Sequence, residues 1–400
     1  MSQIFFIGAT GHIGGAVLDL VYQKYPDVLI HTLVRDEKKG KILVGKYPRV
    51  TFVIGDLASL DLLTREAKKA DIVINTKTSN DIANEKDQSR YSELRLKLIL
   101  GLGQSLNIEP FVQHNPLTDP LVDAGPDVKQ DVAISAILEG LANHSPKAYY
   151  IHTSGASLIW DSPGSAPAEP KIFDDVLDIQ ALKSFPSTAL HATSNALVFA
   201  ASPSTNIAII SPTAVHGLSP SPLHPTPLSL PPLLSAISTT QSGFTITPTT
   251  NLQSHIHVLD LAQIYLSLLS SALHSRSPDP QKWGPEAFYF ASSEDLSFSE
   301  YMTALISKLS NSPYHLVHDT QIKELPFSEA VTVAGTLTSY LFGIDMQARS
   351  TRAKERLGWV LRAKKVEEGL DAVLETYFKQ IDDGSGMQEL DDTYKLRSFA

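Results

Sequence analysis

IFFIGATGHIGG, residues 4–15, holds a four-residue apolar run followed by Gly8, Gly11 and Gly14 at three-residue spacing. A short apolar run closed by glycine reads as a buried strand. Beyond it, Ile13, Val17, Leu20 and Val21 recur at helical spacing as far as Pro26. Strand, glycine turn and helix in that order bring backbone close to a pyrophosphate. Glycine permits the sharp turn and leaves no Cβ in the way, and the helix N-terminus offers unpaired N–H groups and the positive end of its dipole. Tight turns also use glycine, so the spacing gains its meaning from its place between strand and helix. Gly8, Thr10, Gly11, His12, Ile13 and Gly14 are therefore the expected contacts of a dinucleotide.

The same rhythm continues outward. VLIHTLV (28–34), VTFVI (50–54), DIVIN (71–75), AYYIH (148–152) and NIAIIS (206–211) are strand candidates separated by helical patterns. Such alternation predicts an α/β fold, a Rossmann-like doubly wound parallel sheet, here with a smaller C-terminal substrate lobe. Ligands bind such sheets at the carboxyl ends of the strands. The second strand ends in Arg35 and Asp36. An arginine there accommodates a 2′-phosphate and a carboxylate takes the ribose 2′-OH, so Arg35 in first place favours NADP(H) over NAD(H). Asp56 and Leu57 close the third strand and Asn75 and Thr76 the fourth, with Pro212 and Val215 further along the cofactor's path. The bland alternatives are a solvated Arg35 with Asp36 on the ribose, and Asp56 as a helix cap.

Residues 80–126 exceed what one crossover needs and read as an insertion: a surface elaboration, or a lid or part of an oligomer interface. Proline is dense between 212 and 250, which argues against regular helix or central strand there. Interleaved apolar residues make that stretch an ordered wall of a binding site. The expected organisation is a dinucleotide-binding unit over 1–216, completed by 251–275. A substrate lobe comprises 217–250 and 276–380, and 381–400 form a mobile tail.

The chain has 400 residues and a formal charge of −10, with no cysteine. Without a basic block, nucleic acid is not an expected partner. The absence of cysteine removes disulfides and thiolate metal sites and fits a reducing compartment. No apolar run reaches membrane-spanning length, and the first residues read as a strand, not a signal peptide. The expectation is a cytoplasmic protein with a small-molecule substrate, as a monomer or homodimer. No histidine spacing suggests a metal site, and no G-x-S-x-G elbow suggests a hydrolase.

GATGHIGG, VRD, GDL, HTSG (152–155) and SPTAVHG (211–217) together resemble the extended and atypical short-chain dehydrogenase/reductases, including the NAD-dependent epimerase/dehydratase and NmrA-like groups. HVLDLA (257–262) is similar to that family's V-x-D-L-A segment and TRAKERLGW (351–359) to its A-x-x-x-LGW signature. The likeness covers about residues 3–375 apart from the insertion, and is nearest to epimerase-like proteins of fungal secondary metabolism. It implies a Tyr-x-x-x-Lys pair for proton chemistry and a Ser or Thr after the fifth strand. Here HATSN (191–195) puts His191 and Asn195 at the pair, with Gly155 in the serine register beside Thr153, Ser154 and Ser157. Imidazole titrates near neutrality, so His191 can serve as acid/base, whereas Asn195 brings no charge. The candidate catalytic residues are His191, Ser154 and Thr153, with His216 and Ser157 toward substrate. The implied function is a reductase or epimerase acting on a small, largely apolar metabolite. The departures leave open a non-redox isomerase or cyclase with a non-catalytic cofactor, and a catalytically dead dinucleotide sensor.

Overall fold

The structure, a computed structural model, describes residues 2–76, 130–160, 170–275, 277–311, 316–317 and 319–382. The insertion 80–126 and all but two residues of the expected tail 381–400 lie outside the described residues. The strands are β1 (Gln3–Ile7), β2 (Leu29–Val34), β3 (Val50–Ile54), β4 (Ile72–Asn75), β5 (Tyr149–Thr153), β6 (Ile172–Asp174), β7 (Asn206–Pro212), β8 (Ala214–His216), β9 (Gly243–Ile246), β10 (Leu252–His257), β11 (Phe288–Ala291), β12 (Glu294–Ser297), β13 (Ile322–Leu325) and β14 (Gln347–Arg349).

Seven of them form one sheet in the order β11-β7-β5-β4-β1-β2-β3, every pairing parallel. The period of two along β1 explains its apolar run, Ile4 to Ile7. Ile4 and Phe6 enter the core on one face, with the helices His12–Lys24 and Val258–His274. Phe5 and Ile7 enter the core on the other, with Leu60–Ala67, Asp131–Leu141 and Ala192–Ala200. From β1 the chain runs outward through β2 and β3, then returns to β4 on the far side of β1. That reversal opens a crevice at the carboxyl ends of β1 and β4.

A third core joins β9, the helices Leu230–Thr240 and Phe298–Ser310, and the final helix Val366–Asp382. Phe288–Ala291, grouped with this lobe on sequence, is instead the outermost strand of the main sheet beside β7. The proline-dense stretch also departs from expectation, because it contains an 11-residue helix, Leu230–Thr240. Pro231 and Pro232 occupy its first turn, where no intrahelical N–H is needed, so they start the helix instead of breaking it.

Asp260 of HVLDLA joins the two later sequence signatures. Its backbone carbonyl accepts from Trp359 Nε1 at 2.8 Å, and its carboxylate accepts from the N–H groups of Arg362 and Ala363 at 3.1 Å. The C-terminal lobe is thus tied to the helix that packs against the glycine-turn helix.

Candidate functional site

At the crevice each glycine has a distinct reason. Gly8 holds φ +87°, a conformation L side chains rarely adopt. A Cβ on Gly14 would clash with the Gly8 carbonyl and lie 2.6 Å from Thr76 Oγ1, so Gly14 lets the helix seat closely on β1 and β4. Gly11 meets only the Gly8 carbonyl, at 3.3 Å, and its φ of −73° is ordinary. The protein's own contacts require glycine least at 11, the position where a ligand's approach would require it. The helix His12–Lys24 starts there with no side-chain cap hydrogen bond.

The outer side of this turn is covered by the proline-rich stretch. Ser219 Oγ donates to the His12 carbonyl at 2.6 Å and Ser221 Oγ to that of Thr10 at 2.8 Å. A Cβ on Gly15 would run into Ser221. His12 is buried, with Nδ1 3.2 Å from the His224 carbonyl, and burial lowers its pKa to about 4. No spacing in the sequence announces these contacts, which join residues more than 200 apart.

Arg35 is exposed at the end of β2. Asp36 Oδ1 accepts from Lys39 N at 2.8 Å and so caps the helix Glu37–Lys46. Asp56 Oδ1 accepts from Ala58 N at 3.0 Å and Ser59 Oγ at 2.8 Å, a turn that leads into Leu60–Ala67, with Leu57 buried beside it. Thr76 Oγ1 donates to the Ile7 carbonyl at 3.1 Å. Asn75 Nδ2 lies 3.4 Å from Tyr150 OH, which is 3.2 Å from His152 Nδ1.

After β5 the candidates separate by environment. Thr153 Oγ1 donates to the Asn75 carbonyl at 2.7 Å and lies 2.6 Å from Tyr265 OH, so this hydroxyl ties β5 to β4 and to the helix Val258–His274. Ser154 is buried and its Oγ has no hydrogen-bond partner among the described residues. Ser157 Oγ is 2.6 Å from His191 Nε2. His191 holds φ +65° at the N-terminus of the helix Ala192–Ala200. One turn on, the Asn195 amide is buried with neither its nitrogen nor its oxygen hydrogen-bonded among the described residues.

Pro212 ends β7, opposite Ala291, and Val215 is half-buried in β8, opposite Ile256. His216 is buried 3.7 Å from Glu294 Oε1, and its ring lies 5.1 Å from that of His257. Burial lowers the pKa of His216 to about 2 and that of His255 to about 4. His257 Nδ1 accepts from Leu259 N at 3.1 Å, which makes it the cap of the following helix. Among the described residues no group of three or more His, Asp or Glu could hold a metal ion, and no helix is long and apolar enough to cross a membrane.

The NmrA-like family model matches residues 1–89. An oxidase from Acremonium sp., oxidase ucsJ, is 21% identical over 372 residues, 89% of this chain and 92% of that protein. Eugenol synthase 2 from Clarkia breweri is 28% identical over 153 residues, 35% of this chain and 46% of the relative. Among solved structures, dTDP-glucose 4,6-dehydratase from Bacillus anthracis, in complex with NAD, superposes with a TM-score of 0.58 at 14% identity, covering 96% of this chain and 98% of that one. UDP-glucuronic acid 4-epimerase from Bacillus cereus gives 0.57 at 14% identity over 95% and 99%. The chain shares the fold of these dehydratase and epimerase structures, and its first four strands, β1 to β4, lie in the NmrA-like match.

Proposed function

From that fold, we propose that the protein is an NADP(H)-binding enzyme that acts on a small, largely apolar metabolite as a reductase or epimerase, with His191 and Asn195 in place of the tyrosine–lysine pair. The observation that carries the reading is the glycine turn: Gly8 answers to backbone, Gly14 to packing, and Gly11 stands free of both demands at an uncapped helix N-terminus. Phosphate oxygens are the ligand those N–H groups suit. The buried Ser154 hydroxyl and Asn195 amide, unsatisfied by described residues, add polar groups that a bound nicotinamide riboside would satisfy. Arg35 supports the 2′-phosphate form, since Asp36 is occupied in capping.

A bound nicotinamide would supply hydride transfer. The chain's own residues then hold the substrate oxygen and move a proton, the task of Ser157 and His191, while His216 and the proline-rich wall shape the pocket. The name of the relative matched over 89% of this chain, an oxidase, favours redox chemistry. Asn195 favours a second reading, a non-redox isomerase or cyclase, because it supplies no charge beside the acid/base. Incubation with NADPH and with NADP+ against a panel of apolar carbonyl and alcohol metabolites separates the two. Stoichiometric change in cofactor absorbance supports the first. Product that needs the reactive cofactor but leaves it unchanged marks an epimerase, and product formed equally with a redox-inert analogue of the cofactor supports the second.

A further inference from the structure

We infer that Ser157 and His191 form a proton relay in which Ser157 meets the substrate and His191 stands behind it as a positioning residue, in room that Gly155 leaves. The inference rests on the reading of this site as one that transfers a proton, and it assigns the roles within it. The two side chains are 2.6 Å apart, from Ser157 Oγ to His191 Nε2. His191 is only 4% exposed whereas Ser157 is half-buried, so the hydroxyl is the member of the pair that a bound molecule can reach.

Gly155 supplies an independent observation. Its φ of −158° and ψ of 149° are extended backbone that any residue adopts. Yet a Cβ there would lie 2.5 Å from His191 Nε2 and 2.9 Å from Cε1. Glycine at 155 is therefore set by the approach of the imidazole, not by the backbone. The ring is held in place by a residue at φ +65°, a strained position for a non-glycine side chain and one that recurs at functional sites. The ring occupies the room that Gly155 leaves, and Ser157 Oγ lies against the same ring nitrogen.

The step balances simply. Ser157 gives its hydroxyl proton to the substrate oxygen as that oxygen gains charge. Protonated His191 passes the Nε2 proton to the serine oxygen. One proton leaves the ring, one reaches the substrate, and the serine ends as it began. Reversal serves oxidation. The ligand class this suits carries a carbonyl or enol oxygen.

The test follows the His191 ring by NMR in protein labelled with 15N-histidine, from pH 5 to 9, in the wild type, Ser157→Ala and Ser157→Thr. The expected result is a ring titration that Ser157→Ala displaces by roughly half a pH unit or more and that Ser157→Thr restores. A ring that keeps one protonation state over this range, or a titration unmoved by Ser157→Ala, overturns the relay. Gly155→Ala should lower the urea midpoint, and Gly155→Ala/His191→Ala should recover it; equal midpoints for the two overturn the role of Gly155. Calorimetric titration of the same proteins with NADPH keeps the readings apart. Failure of the wild type to bind removes the proposed function and leaves the ring titration to decide the relay.

Discussion

Two residues, Arg35 and His191, carry most of what can be tested singly. A guanidinium–phosphate contact is a charge-assisted pair, and such hydrogen bonds contribute roughly 1.5–3 kcal/mol. Arg35→Ala should weaken NADPH binding on the order of ten- to a hundredfold and leave NADH nearly untouched. Equal weakening of both cofactors would remove Arg35 from the 2′-phosphate. His191→Phe keeps a ring of similar size and removes both nitrogens. Turnover should fall about 10²–10⁴-fold with NADPH affinity held. More than half the activity retained would make His191 structural. The sequence pointed to His191 because a family motif gives that position a task. It held no sign that Thr153 is bound to Tyr265, 112 residues away, or that the ring of His191 sits against Gly155.

Elements were legible where their signals were local. VTFVI is β3 residue for residue, since a short β-branched and aromatic run needs little context. The helix Leu230–Thr240 was hidden by its own prolines, whose meaning depends on whether they fall in a first turn or an interior. Asp260 exemplifies an element joint that spacing cannot show. Two backbone N–H groups held by its carboxylate make Asp260→Ala an expected loss of about 2–3 kcal/mol, read as a drop in the urea midpoint. The wall around the glycine turn should also respond to acid. Burial lowers the pKa of His12, His216 and His255 below the ordinary 6.5, so the unfolded chain binds their protons more readily. Their neutral packing is intact above about pH 6.5 and opposes folding progressively more as pH falls from there toward 4, by up to about 1.4 kcal/mol per group per pH unit. Asp175, raised by burial to about 7, works the other way in the same window, but as one group against three. The urea midpoint should therefore fall between pH 7 and pH 5, and His255→Gln should flatten that fall. A midpoint independent of pH in both proteins would mean these rings are not held neutral.

For the molecule as a whole, the doubly wound half was readable because each βα unit repeats one pattern, and the repeated pattern fixes which strand ends share an edge. The lobe was not, since its core gathers residues from 230 to 378 and its sheets pair strands far apart in sequence, such as β9 with β13. The serines that cover the glycine turn come from the stretch read as a binding-site wall, and what no spacing showed is which of its residues reach back more than 200 positions to the turn. The central claim is that this cleft holds a dinucleotide at Gly11. Gly11→Trp puts a ring where the pyrophosphate must pass while asking little of the protein's own contacts, so circular dichroism should be unchanged. Calorimetric titration with NADPH should give binding to the wild type and none to the variant. Equal affinity in the two, with both folded, would contradict the account.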